Sequence, residues 1–357
     1  MKKISIVLIF VFLFLFSGCS SAMVRTVVLP EEINESGIET GKVYTFEDLV
    51  PQNMTLSKFV GFDRDDNIVG WFTKGDDCCI MLFNVKERVG QQIVNTDENV
   101  VSVVISGKGT VLYETSEKNT RCLYLVGDDH KKITRLAVYP AESSCITADL
   151  DEDPRVFSVY RTEGRLKLLC VNTETKESAV YELTSAIENY VGSSMSASVK
   201  IKDTAVGRGG RVAVMVQVKD RYYMWTGVLS DDGSFTNTIV MECEGADHVF
   251  AGDSVFYVNA QGDLMRLDPA KGQQVVVMED VDEYYISSDE SVAVCARNSG
   301  NVKRIYVKKT DSSYAVLADI RQGAGSFLLN EKGTLLMIEY YEKSDPAGKY
   351  SVMELVR

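Results

Sequence analysis

Residues able to carry out chemistry are few in this chain. It has two histidines, His130 and His248. His130 lies in the polar stretch GDDHKK, which reads as a hairpin turn and leaves the ring solvated. His248 opens an apolar run beside Asp247. An Asp–His pair can serve a catalytic triad, but a triad also needs an activated nucleophile, and no G-x-S-x-G is present. Asp149-x-Asp151-x-Asp153 has the alternating carboxylates that suit a hard cation such as Ca²⁺, yet Pro154 stands where an EF-type loop needs Gly. Asp63-x-Asp65-x-Asn67 repeats the spacing with Ile68 at that place. Asp and Asn favour tight turns because they bond their own backbone, so both stretches read as acidic surface turns. No metal or cofactor is expected, with Asp149, Asp151 and Asp153 the only candidate ligands.

Thiol chemistry is equally sparse. Apart from Cys19 the cysteines are Cys78, Cys79, Cys122, Cys145, Cys170, Cys243 and Cys295. Their odd number rules out complete pairing within one chain. Most sit in apolar runs such as CCIMLF, RCLYLV and VAVCAR, where Cys packs as a small core residue. Exported proteins usually pair or avoid cysteine, so this usage points to a reducing or anaerobic habitat. Cys78 and Cys79, being adjacent in a strand, should face opposite sides. The aromatic pairs Trp71-Phe72, Tyr222-Tyr223, Tyr284-Tyr285 and Tyr340-Tyr341 should divide between the two faces in the same way.

Cys19 stands apart. Met1-Lys2-Lys3 supplies a basic start, and Ile4 to Phe16 is apolar apart from Ser5. A basic start and a core of roughly 7–15 apolar residues make a secretory signal. It ends in Phe16-Ser17-Gly18-Cys19-Ser20-Ser21, which resembles the bacterial lipobox, with Phe16 where Leu is usual and Leu15 one place earlier. The resemblance implies a signal peptide over 1–18 and lipid attachment, palmitate among the acyl chains, at Cys19. Two or more acyl chains suffice for stable anchoring. The expected location is the outer face of the bacterial cytoplasmic membrane. Residues 19–42 then form a tether, polar and Gly-bearing over 30–42.

The chain has 357 residues, 45% hydrophobic and 25% charged, a globular composition. Losing Lys2 and Lys3 with the first 18 residues takes the net charge from −13 to −15. No basic stripe offsets this acidity, which excludes nucleic acid as a partner. Anionic lipid would repel most of such a surface.

From residue 43 onward the chain repeats one plan: apolar run, polar turn, apolar run, longer turn, then two more runs. Units begin near 59, 100, 145, 199, 247, 284 and 326, mostly about 40 residues apart, which is the length of a four-stranded blade. The expected fold is all-β, a β-propeller of four-stranded antiparallel blades over 43–357, seven-bladed, with six or eight as alternatives. Unit seven is one strand short at Arg357. Val24–Leu29 is expected to supply that strand and close the ring, and Lys42–Leu49 is the alternative. The turns in SGKGTVLY, GRGGRVAVM, AGDSVFYV, SSDESVAVC and LNEKGTLLMI resemble, in degenerate form and without the Pro, the repeat of TolB-like (PD40-type) propellers. WD40 and kelch signatures are missing.

Thr184–Ser198 interrupts the repeat, and Ser185-x-x-Glu188 could cap one helical turn there. Such a loop is a candidate contact site. These features point to a non-catalytic lipoprotein whose propeller binds or scaffolds a protein partner in the envelope. Capture of carbohydrate or peptide is the alternative, and a glycosidase or lyase using acidic residues of the central funnel comes third.

Overall fold

Where an apolar run is flanked by others on both sides it becomes a strand buried on both faces, as Asp77–Asn84, Arg155–Thr162 and Arg211–Val218 do. The computed structural model describes residues 27–28, 39–46 and 49–356, the last with breaks at 107–108, 128, 149–153, 193–198, 208–209, 231–232, 244–248, 252–253, 269–270, 301, 310–314, 322–325 and 343–344. Two strands come first, β1 (Val27–Val28) and β2 (Glu39–Phe46). Blade one is β3 (Thr55–Phe62), β4 (Ile68–Lys74), β5 (Asp77–Asn84) and β6 (Val89–Thr96). Blade two is β7 (Val100–Ile105), β8 (Val111–Glu117), β9 (Thr120–Val126) and β10 (Ile133–Pro140). Blade three is β11 (Ser143–Ala148), β12 (Arg155–Thr162), β13 (Arg165–Asn172) and β14 (Ser178–Glu182).

A helix, α1 (Thr184–Val191), leads to blade four, which is β15 (Val199–Gly207), β16 (Arg211–Val218), β17 (Arg221–Leu229) and β18 (Phe235–Cys243). Blade five is β19 (Val249–Ala251), β20 (Val255–Val258), β21 (Leu264–Asp268) and β22 (Gln273–Met278). Blade six is β23 (Glu283–Ile286), β24 (Val292–Ser299), β25 (Val302–Lys309) and β26 (Ala315–Arg321). Blade seven adds β27 (Phe327–Leu329), β28 (Leu335–Glu342) and β29 (Asp345–Val356).

The expected seven-bladed propeller is what forms. Seven sheets each run outward in chain order with antiparallel neighbours, and their first strands begin within four residues of the positions expected from the repeat. Between each pair of neighbouring blades lies one apolar cluster, and alternate residues of a strand feed different clusters. Cys79 and Met81 pack toward blade seven, while Cys78, Ile80 and Leu82 pack toward blade two. Tyr223 likewise joins the core between blades three and four, and Tyr222 packs on that between four and five. Fourth strands lie at the rim and expose runs of consecutive residues, among them Val89, Val180 and Val275.

Ring closure differs from the expectation. The fourth strand of blade seven is β2, paired antiparallel to β29 with Tyr44 opposite Val352 and Phe46 opposite Tyr350. Val27 and Val28, within the stretch expected to close the ring, instead lie outside blade six as a fifth strand on β26. Closure by 24–29 would leave a long irregular link before β3, and such links are rare in compact domains. Closure by β2 leaves a short one and buries Tyr44 and Phe46. The alternative, Lys42–Leu49, overlaps the observed strand, and the expected tether boundary at residue 42 falls inside β2.

The interruption after blade three also departs from its expectation. α1 is longer than one turn, and its N-cap is Leu183 with no side-chain cap, so Ser185 and Glu188 form no capping box. Thr184 ties the helix start to β13 instead, its Oγ1 accepting from Leu166 N at 2.8 Å. Ile187 is fully buried against blades three and four. The helix therefore fills a gap at the rim. Residues 193–198 lie outside the described residues.

First turns of adjacent blades touch. Gly109, at φ 73°, sits so close to blade one that a Cβ there would lie 2.0 Å from the backbone nitrogen of Arg64. Gly109→Ala is expected to cost about 2–4 kcal/mol, from the left-handed φ and the forced displacement together. Urea unfolding measures it, and an unchanged midpoint would show that the two turns do not pack as described.

Candidate functional site

All first strands line the axis, so the side chains that two-residue periodicity turns inward meet at the centre of the ring. There they enclose a cavity of about 280 Å³. Its walls come from six blades: Val60 and Phe62 of blade one, Val104 and Ile105 of blade two, Thr147 and Ala148 of blade three, Thr204 and Val206 of blade four, Tyr285 and Ile286 of blade six, and Leu328 and Leu329 of blade seven. Lys58 and Glu331 are the charged residues of the lining. Burial and the Glu283 carboxylate push the Tyr285 hydroxyl up, so it stays neutral and can only exchange hydrogen bonds. The funnel is mainly apolar where the third functional expectation placed a set of acidic residues.

Two larger grooves lie between neighbouring blades. One of about 720 Å³ between blades five and six includes Asp282, Arg297 and Arg304. Its polar groups bond locally, Asp282 accepting from Asn298 N and Arg297 donating to the Glu279 carbonyl. The other, about 690 Å³, runs between β2 and blade one beside Phe46 and Arg88. Each belongs to one interface, whereas the axial cavity is assembled by the ring as a whole.

A buried polar cluster joins blades two and three, and sequence reasoning missed it. The Glu114 carboxylate is fully buried and accepts hydrogen bonds from the hydroxyls of Tyr139 and Ser144, the latter at 2.6 Å. Tyr139 Oη also lies 2.7 Å from Ser158 Oγ. Burial holds the Glu114 proton on to higher pH than usual, against the weaker opposing pull of Ser144, Tyr139 and Arg121. The signal was available: Glu114 interrupts the apolar VLY run at an inward position. Glu114, Tyr139 and Ser158 are buried and Ser144 partly so, and the cluster holds two blades together.

The residues singled out by sequence do not converge. Asp63 serves its own turn: Oδ1 accepts from Asp65 N and Asn67 N at 2.9 and 2.8 Å, and Oδ2 accepts from the Asn67 side chain. His130 sits at φ 56° in the GDDHKK turn, which Asp129 braces by accepting from Lys131 and Lys132. Asp149, Asp151, Asp153, His248 and Cys19 lie outside the described residues. Among the described residues, no three His, Cys, Asp or Glu stand close enough to hold a metal ion. None of the seven described cysteines forms a disulfide. Burial pushes the thiols of Cys78, Cys145 and Cys243 up to about 11, 12 and 12, the opposite of what activates a nucleophile.

No family model matches the chain, and no curated protein does. Solved structures resemble it at low identity. An oligogalacturonate lyase from Vibrio parahaemolyticus is 13% identical, with 89% of this chain and 97% of that one covered at a TM-score of 0.60. The β-propeller domain of the Trilobed protease from Pyrococcus furiosus is 10% identical, with 86% and 96% covered at 0.58. That domain has an open velcro topology, whereas β2 here completes blade seven. The WD40 domain of Toxoplasma gondii coronin is 9% identical, with 93% and 89% covered at 0.55. At such identities the likeness shows the fold alone, and propellers serve both enzymes and non-catalytic modules.

Proposed function

We propose that this chain is a TolB-like propeller lipoprotein, held at the outer face of the cytoplasmic membrane by acyl chains on Cys19, and that it binds a protein partner without catalysing a reaction. The axial cavity carries the reading. Its volume, about 280 Å³, is at the lower edge of the roughly 300–1,000 Å³ of small-molecule pockets, and its walls are mostly aliphatic. Such a space suits an apolar side chain or two from an inserted protein segment better than an oligosaccharide. The anchor is supported by the basic start, the apolar core and the Ser-Gly-Cys junction of residues 2–19.

The test is co-purification from detergent-solubilised envelope with the wild type and with Thr147→Trp, which fills the cavity from an inward, half-exposed position. The partner is expected to be retained by the wild type and lost by the variant, with the thermal midpoint shifted by less than about 4 °C. Equal retention by a folded variant would remove the cavity from the binding site.

A further inference from the structure

The direction of β1 fixes where the tether enters the ring. Because each first strand is antiparallel to the second, the turns after first strands share one face with the turns after third strands. The turns after second strands and the links between blades lie on the opposite face, here called the link face. The axial cavity belongs to the first-turn face: its lining includes Phe62, Ile105, Ala148 and Leu329 at the ends of first strands, and Ser288 and Glu331 in the turns themselves.

β1 is antiparallel to β26, with Val27 opposite Ile320 and Val28 opposite Asp319. β26 ends at Arg321, where the chain links to blade seven. Val27 is therefore at the link-face end of the rim, and β1 starts from that side. Eight Cα–Cα steps separate Cys19 from Val27, a span of at most about 29 Å when fully extended. An eight-residue strand is itself about 26 Å long. A tether doubling back along the rim would use nearly all its length to bring the first-turn face to the bilayer.

Both faces are acidic, so the tether alone sets the orientation. The described first turns carry Asp63, Asp65, Asp66, Asp289, Glu290 and Glu331. Three cations accompany these six carboxylates: Arg64 beside Asp65, Lys332 on Asp66, and Arg266 on Glu290. Acidic turns beside the mouth of the cavity attract basic segments.

We infer that the lipid holds the link face toward the bilayer and presents the first-turn face, with the mouth of the axial cavity, to the aqueous side. The partner it fits is a soluble or extracytoplasmic protein segment with basic residues flanking an apolar side chain, not a membrane-embedded helix. This rests on the proposed lipid at Cys19, and the test separates the two.

Full-length lipidated protein is reconstituted in vesicles of phosphatidylethanolamine and phosphatidylglycerol, with photoreactive benzoylphenylalanine placed singly at Gln261 or Asn298 on the link face, or at Asp65 or Lys332 on the first-turn face. Phospholipid adducts are expected at Gln261 and Asn298 in at least about ten-fold excess over the other pair, since tether reach keeps the latter away. Equal or greater yields at Asp65 and Lys332, or no adducts on either face of bound protein, overturn the orientation. Cys19→Ala is expected to stay in solution. If it binds the vesicles as the wild type does, the lipid fails and the orientation falls with it. If it is released while Asp65 and Lys332 cross-link to lipid, the orientation alone is wrong.

Discussion

A chain beginning at residue 38 is expected to unfold cooperatively near the wild-type midpoint, and one beginning at residue 47 to aggregate or unfold without cooperativity. The shorter truncation removes β1, which contributes two residue pairs on the outside of blade six. Surface losses of that size change stability by about 0.5 kcal/mol or less. The longer one also removes β2, and with it Tyr44 and Phe46, each 8% exposed in the core between blades seven and one. That core includes Phe59 and Tyr350, whose rings meet edge-on at 5.0 Å. Deleting a buried aromatic side chain costs about 3–5 kcal/mol, so losing two approaches the whole stability of about 5–15 kcal/mol of a typical domain. It also bares the length of β29, an edge able to pair with another chain. Urea unfolding followed by Trp fluorescence, with size-exclusion chromatography, distinguishes the outcomes. A monomer starting at residue 47 with an unchanged midpoint would show that β2 does not hold the ring shut.

The contrast between β1 and β2 shows what a sequence of this kind discloses. A blade is a local object: AGDSVFYV contains its own turn and the strand after it, so the blades could be placed by reading along the chain. Closure is a global property. Val24–Leu29 is the more β-prone run, yet Glu39–Phe46, with Gly41 and several polar residues, takes the place because its length of link to β3 fits and its alternate aromatics meet a waiting core. Propensity ranked the two segments and topology reversed the order. The axial cavity was hidden for the same reason. Thr147 and Val104 are unremarkable strand residues until six blades bring such positions together. Glu114 was legible in part, since a carboxylate within VLYETSE at an inward position demands partners, but Tyr139, Ser144 and Ser158 come from three further strands that no spacing links to it.

Glu114 gives the second large effect, one that depends on pH. Glu114→Ala is expected to cost about 2–4 kcal/mol, because it opens a cavity and leaves the hydroxyls of Tyr139 and Ser144 without their acceptor. Glu114→Gln keeps the shape, an acceptor oxygen and a donor, and isolates the charge. Burial raises the carboxyl pKa in the folded protein above its unfolded value, so the folded state binds this proton more readily than the unfolded chain. The resulting stabilisation is complete below the unfolded pKa of about 4.3 and is lost as pH rises through the folded value. Tyr139 and Cys145 do not share the titration over pH 4–8, because burial leaves both neutral. The stability of Glu114→Gln relative to wild type should therefore increase as pH rises from 4 to 8, measured as paired urea midpoints at each pH. A difference that stays flat, or that shrinks with rising pH, would mean the carboxylate is at least as well stabilised between blades two and three as in water, with the hydrogen bonds from Ser144 and Tyr139 balancing or outweighing burial.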